Sequence, residues 1–368
     1  MNDMYVEDWG RVRERFIKWW AREPLDYPLM KIIARGKPHD KSRLARVEAY
    51  ADAADMYTNT EKMIANFRNS CETHYFLEDS FPSFSMNFGP GSLALYVGSE
   101  PVFTHDTVWF TETMKDIDDQ AALRYDPDNR WWAKHRGMFV KAMELAGGDF
   151  LVDIPDIVEN IDILAALRGP QNLCYDLMDE PESVKKALSR LNAIYFNYYD
   201  AIYDIVKEPD GSSAYTAFAI WGPGKTAKIQ CDFNVMMSPA QFREFVLPGL
   251  QEQCGKLDNC IFHLDGPDAI KHAPAIMEIE NLNALQWTCG EGNPDAGSER
   301  WFSLYETVLD AGKNLWLMIY DGGPEDWAKS AARLVKRYGP DKFFLRLPTF
   351  ETKTEAYRFI ETVKEASA

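Results

Sequence analysis

IQCDFNVMMSPAQFREFVLPGLQEQCGKLDNCIFHLDG, residues 229–266, decides the fold of this chain. A short apolar run ends at Asp232. Ser238-Pro239 offers an N-cap and a first-turn proline, so a helix opens there and carries FREFVLPGL. NCIFHLDG then returns as an apolar strand that ends on His263 and Asp265. Side chains two residues apart on a strand share a face, so an imidazole and a carboxylate stand together at its tip. A strand, helix and strand that deliver polar groups at strand ends are the unit from which an α/β-barrel active site is built.

Working outward, apolar segments bounded by Gly, Pro or Asp begin at Pro28, Phe84, Asp149, Ala214, Asn259, Leu282, Asn314 and Lys342. Helical stretches separate them, including residues 43–68, WWAKHRGMFVKAMELAGG (131–148) and EDWAKSAARLVKRYG (325–339). Alternating strand and helix implies a parallel sheet with right-handed crossovers. Eight strands predict a closed (β/α)8 TIM barrel, with an open sheet as the alternative. EDWGRVRERFIKWWAR (7–22) has helical apolar spacing. Residues 1–27 therefore read as an N-terminal helical extension and 28–368 as the barrel. The extension's aromatic residues suit a homodimer seam.

The chain has 368 residues, 46% of them hydrophobic, enough for a large core. A formal charge of −17 argues against nucleic-acid binding, which needs clustered Lys and Arg. No apolar run reaches the roughly 18 residues of a membrane span. The charged start MNDMYVEDWGRVRERF does not read as a signal peptide. Six scattered cysteines with no CxxC pair suit a reducing compartment, so the expected location is the cytoplasm. GPG at 89–91 and 222–224 reads as turn geometry rather than a phosphate loop. No G-x-S-x-G elbow or H-E-x-x-H helix is present.

In a barrel the site lies at the carboxyl ends of the strands. His263, Asp265 and Asp232 are the catalytic candidates there. His263 reads either as a half-buried residue bonded to a carbonyl or as a metal ligand or proton carrier. With Asp265 it makes half of a metal site, whose third ligand would be Asp232, Cys289 or Glu291. Cys289 in WTCGEGN is either a small strand-end residue or a soft ligand. Asp153, Glu291 and Tyr320 offer polar contacts to a substrate. Trp221 and Trp287 offer walls, and Arg35 and Arg346 offer positive charge for an anionic group.

These segments resemble the uroporphyrinogen decarboxylase superfamily. DFNVMMSPAQFREFVLPGL (232–250) is similar to that family's Asp, Ser-Pro and F-R-E-F-V-L-P helix. IDILAALRGPQNLCYDLMDEPESVKKAL (161–188) and the strand ending in HLDG (263–266) add to the likeness, which spans roughly residues 148–350. The family fold is a distorted (β/α)8 barrel. The resemblance implies decarboxylases and corrinoid-linked methyltransferases as relatives. PLMKIIARGKPHD stands where true decarboxylases carry R-Q-A-G-R, which points away from porphyrin decarboxylation. His263-x-Asp265 stands where the thiol methyltransferases hold zinc with His-x-Cys, and LRLPTFETKTEA lacks their later Cys.

The expectation is thus an enzyme that moves a methyl group from a methylated small molecule to a corrinoid carried by a separate protein. A divalent metal, zinc first, is expected on His263, Asp265 and Cys289 or another third ligand. The alternatives are a decarboxylase or other lyase acting on a carboxylated or sugar-like molecule, and a non-catalytic binding barrel.

Overall fold

Cys260, Phe262 and Leu264 are fully buried on one face of the strand Asn259–Asp265, while His263 and Asp265 alternate onto the other. That alternation organises the whole sheet. The computed structural model describes residues 5–215 and 217–368. Residues 1–4 of the expected extension, and Thr216 in the expected strand from Ala214, lie outside the described residues.

Among the described residues the main sheet has seven strands: β1 (Leu29–Arg35), β2 (His74–Glu78), β3 (Thr226–Gln230), β4 (Asn259–Asp265), β5 (Ala284–Thr288), β6 (Asn314–Met318) and β7 (Phe343–Arg346). Their order is β2-β1-β7-β6-β5-β4-β3. All neighbours are parallel except β2, which runs antiparallel to β1. Helices join the parallel strands and cover their outer, apolar face. This is a mixed α/β fold with a barrel-like central sheet whose hydrogen-bond ladder, among the described residues, is not closed.

The difference from an eight-stranded ladder has local causes. The expected strands at Phe84 and Asp149 shrink to Ser83–Phe84 and Leu151–Val152, paired with each other. The expected strand from Ala214 folds back as the hairpin Ser213–Tyr215 with Ile220–Gly222, tied to its neighbour by one bridge, Ile154–Tyr215. Thr226–Gln230, read from sequence only as the run before Asp232, joins the main sheet instead. The unforeseen β2 takes the free edge of β1. Beside it, the Ser80 Oγ bonds both the N (2.6 Å) and the O (2.8 Å) of Ile32, so a side chain stands in for a strand partner.

The helix after Asp232 starts as its sequence demands. Ser238 and Gln241 form a reciprocal capping box with Pro239 in the first turn. Phe242–Val246 is then a π-helical turn, with the Leu247 N–H reaching back to the Phe242 carbonyl. Pro248 follows immediately and has no N–H to give Glu244, which accounts for the widened turn.

The N-terminal helix α1 (Trp9–Ala21) is capped by Asp8 and ends on Arg22 in the left-handed region. Its aromatic face is spent inside the molecule. Phe16 packs edge-on against Phe81, Trp221 and Phe344, and Trp19 meets Phe344. Arg15 is buried against Asp79 at 2.7 Å, and the Asn314 amide donates to the Trp19 carbonyl at 2.7 Å. Among the described residues, no helix is long and apolar enough to cross a membrane.

Candidate functional site

Strand register places a row of polar groups on the inner face. Gln230 is opposite His263, and His263 is opposite Gln286. One pleat further along, Asp265 is opposite Thr288, and Arg346 faces both Met318 and Lys31. Parallel partners in register project to the same side, so these residues share one surface. Asp232 enters from the 3-10 turn just beyond β3.

Asp232, His263 and Asp265 each offer a ligand atom within 4.8 Å of the others. The His263 Nε2 lies 3.9 Å from the Asp232 Oδ1. The other ring nitrogen, Nδ1, bonds the Gln286 side-chain amide oxygen Oε1. An amide oxygen only accepts, so Nδ1 carries the proton and Nε2 presents its lone pair toward the two carboxylates. The Gln286 amide is itself fixed by donating to the Thr288 Oγ1 at 3.0 Å.

A second layer holds Asp232. The Gln230 amide donates to the Asp232 Oδ2 at 2.8 Å and to the Asp162 Oδ2 at 3.1 Å. Asp162 accepts the backbone N–H groups of Asp232 and Phe233, both at 2.9 Å. Beneath them the fully buried Lys228 pairs with Asp156 at 2.7 Å and donates to the Gln230 side-chain oxygen Oε1. Glu159, also fully buried, accepts the Gln230 N–H at 2.6 Å. It sits between Val158 and Asn160, both at positive φ (55° and 47°), a conformation a β-branched valine adopts only under strain.

Electrostatics follow from this crowding. Burial, then Lys228, lowers the His263 pKa, opposed by the Gln286 bond and Asp265, so the imidazole is neutral at pH 7. Burial raises Asp162, and the nearby Asp232 raises it further. Burial also raises Asp232, with Lys228 pulling it down and Asp265 and Asp156 pushing it up. Glu159 is raised by burial, with Lys228 opposing. Burial works against the Lys228 charge, yet Asp156 and Glu159 more than restore it.

The donor set fits a divalent cation. Two carboxylates and a neutral imidazole are ligands for zinc or a harder ion, and tetrahedral zinc at about 2.0–2.1 Å from each donor needs donors about 3.4 Å apart. The observed spacing requires shifts of roughly an ångström in side chains that are partly open to solvent. Gln286 and Gln230 are the outer partners that orient such ligands.

Other sequence candidates are distributed differently. The third donor is Asp232, and Cys289 lies outside the group: it is buried, with its thiol pushed up to about 12 by burial and then by Asp295 and Asp321. Trp287 alternates to the outer face and packs on Trp301 at 5.0 Å, so it is no wall of this site. Trp221 is fully buried against α1, with its indole N–H on Glu208 at 2.8 Å. Arg35 is exposed and pairs with Glu351 at 3.3 Å. Arg346 is on the inner face, beside Lys31 rather than Arg35. Asp153 is buried close enough to Lys31 to act on its charge. Glu291 and Tyr320 are exposed on the loops after β5 and β6. A shallow groove of about 670 Å³ lined by Phe302, Lys329 and Arg337 belongs to the outer helices, away from this chemistry.

Sequence reasoning missed Lys31, Asp162, Lys228, Gln230 and Gln286. A signal was present: in AKIQCD and LQWT, polar residues recur every second position inside otherwise apolar strands, which is how a polar inner face is written.

No family model and no curated protein matches the sequence. Solved structures do. A methyltransferase from Methanosarcina mazei superposes with a TM-score of 0.62 at 14% identity, over 97% of this chain and 99% of that one. The chain shares the fold of that methyltransferase. The resemblance read from residues 161–188 and 232–266 therefore holds at the level of fold. A B12-independent methionine synthase from Shewanella sp. W3-18-1, in complex with selenomethionine, is more distant, with a TM-score of 0.47 at 9% identity over 93% of this chain and 96% of that one. On the sheet of this chain, Asp232, His263 and Asp265 occupy the carboxyl ends of β3 and β4, where open α/β sheets and barrels alike place their sites.

Proposed function

We propose that this chain is a methyltransferase that takes a methyl group from a methylated small molecule and passes it to a corrinoid on a separate protein. The observation that carries the reading is the Asp232–His263–Asp265 group at the carboxyl ends of neighbouring parallel strands, oriented by Gln230 and Gln286. We read the whole as a distorted (β/α)8 barrel that works in the cytoplasm, with a mouth open to a docking protein.

The methyl group leaves as an electrophile, so its C–N, C–O or C–S bond breaks with the electron pair going to the heteroatom. That atom must be made a better leaving group, by a proton or a cation. A divalent metal held by Asp232, His263 and Asp265 would supply Lewis acidity to the leaving heteroatom. His263 presents Nε2 to that position, and Gln286 keeps the ring from turning. Asp162, with its raised pKa, keeps Asp232 from swinging away by binding the backbone N–H groups of Asp232 and Phe233. Asp153, Glu291 and Tyr320 are proposed substrate contacts.

The test combines metal analysis with a methylation assay. Purified protein should hold about one divalent ion per chain, and His263→Ala should lose it. Cob(I)alamin absorbance should decay when methylated amines, ethers or thioethers are added with enzyme. A metal-loaded enzyme that methylates cob(I)alamin with none of these classes overturns the reading.

A further inference from the structure

Lys31 and Arg346 are register partners on β1 and β7, so their side chains lie next to each other on the inner face. Among the described residues, neither makes a hydrogen bond or an ion pair. That is unusual for two half-buried cations. Burial and then Arg346 push Lys31 down to about 7, with Asp153 opposing, and burial lowers Arg346 as well. The Arg346 guanidinium lies 6.0 Å from the Trp316 ring, whose indole N–H is held by the Phe218 carbonyl at 3.1 Å. Phe218 in turn lies 5.4 Å from the His263 ring. The cationic pair and the His263 group are thus linked across one surface by two aromatic rings.

We propose that Lys31 and Arg346 form a carboxylate-binding subsite, which holds the single negative charge of a small substrate while its reacting end meets Asp232, His263 and Asp265. This rests on the reading of the inner face as a substrate site. The guanidinium fork matches a planar carboxylate, and the ammonium adds a point charge. With Lys31 protonated, Asp153 beside it limits the charge of the three groups to one positive at most, which suits a monoanion better than a dianionic phosphate. Arg346 and Asp265 are three strands apart, about 14 Å along the sheet, and long side chains that reach inward shorten the gap, so the molecule is small.

Isothermal titration of the full-length protein with sodium acetate tests this, with sodium phosphate and tetramethylammonium chloride as comparators. Acetate should bind, and Lys31→Met or Arg346→Met should weaken it tenfold or more in variants that keep the wild-type melting profile. A second readout needs no variant. Anion binding should draw a proton onto Lys31, so titrations at pH 7 in buffers of different ionisation enthalpy should show proton uptake, and acetate affinity should fall about tenfold or more between pH 6 and 8.5. No acetate binding by the wild type, unchanged affinity in folded variants, or tighter binding of phosphate than acetate overturns the subsite. Acetate binding that persists in protein inactive toward cob(I)alamin supports the subsite and counts against the methyl-transfer reading alone.

Discussion

Gln286 holds the Nδ1–H of His263 and so turns Nε2 toward Asp232. The two residues are register partners on neighbouring strands, so the contact is set by the sheet rather than by a loop. Gln286→Leu keeps the volume but removes the acceptor. It should weaken zinc binding by about 10–100-fold with little change in fold, since outer partners of a ligating histidine carry effects of that size. Competition against a chromophoric chelator measures this, and an unchanged affinity would show that Gln286 does not orient the ligand.

Asp162 and Asp232 give a pH signature. Both carboxyls have a folded pKa raised above the ordinary value of 3.8, to about 6. A raised carboxyl binds its proton more tightly in the folded state, so the folded chain holds more protons than the unfolded one across this window. Stability from this pair is therefore greatest below about pH 4 and declines as pH rises through 6. Metal binding runs the other way, because ligands must be deprotonated. Zinc affinity should rise from pH 5 to 7 while the metal-free protein's melting temperature falls by the contribution of this pair. Asp162→Asn should flatten the latter slope; a slope unaltered in that variant assigns it elsewhere.

Lys228 tests the layer beneath. It is fully buried, paired with Asp156 and within the field of Glu159. Lys228→Met leaves Asp156 without its cation and should cost about 3–5 kcal/mol in urea unfolding. Lys228→Met with Asp156→Asn should recover part of that loss, because Asp156 is then no longer a charge without its cation. A double variant no more stable than the single one would show that packing of the lysine stem, rather than charge, is what matters.

How much of this was legible in sequence depends on range. Ser238, Pro239 and Gln241 specify their helix start locally, and the capping box is there as read. His263 and Asp265 share a face because strand geometry requires it. Asp232 was one of three open choices for the third position, and selecting it over Cys289 depends on how β3 sits against β4, a pairing between segments about thirty residues apart. Trp221 and Trp287 were placed near the site because they stand close to strand ends, but alternation and packing on α1 and Trp301 turn them away. The Lys31–Arg346 pair is the longest-range feature, joining the first strand to the last, and the sequence distance of over three hundred residues hides it.

The same long-range closure predicts what happens when α1 is removed. Residues 1–27 read from sequence as an extension, yet Phe16 and Trp19 fill the end of the sheet against Phe344 and Trp221. Deleting them would expose Phe81, Trp221 and Phe344 and leave the buried Asp79 without Arg15. Truncating one such aromatic alone, as in Trp19→Ala, should cost about 3–5 kcal/mol, and losing the Arg15 partner a similar amount. Together these reach the whole stability of an ordinary domain. A 28–368 fragment should therefore be insoluble or unfolded by circular dichroism and limited proteolysis, and adding residues 1–27 as a separate peptide should restore some structure. A fragment that folds cooperatively by itself would show α1 to be an appendage, and the barrel-like sheet to be closed by its own side chains.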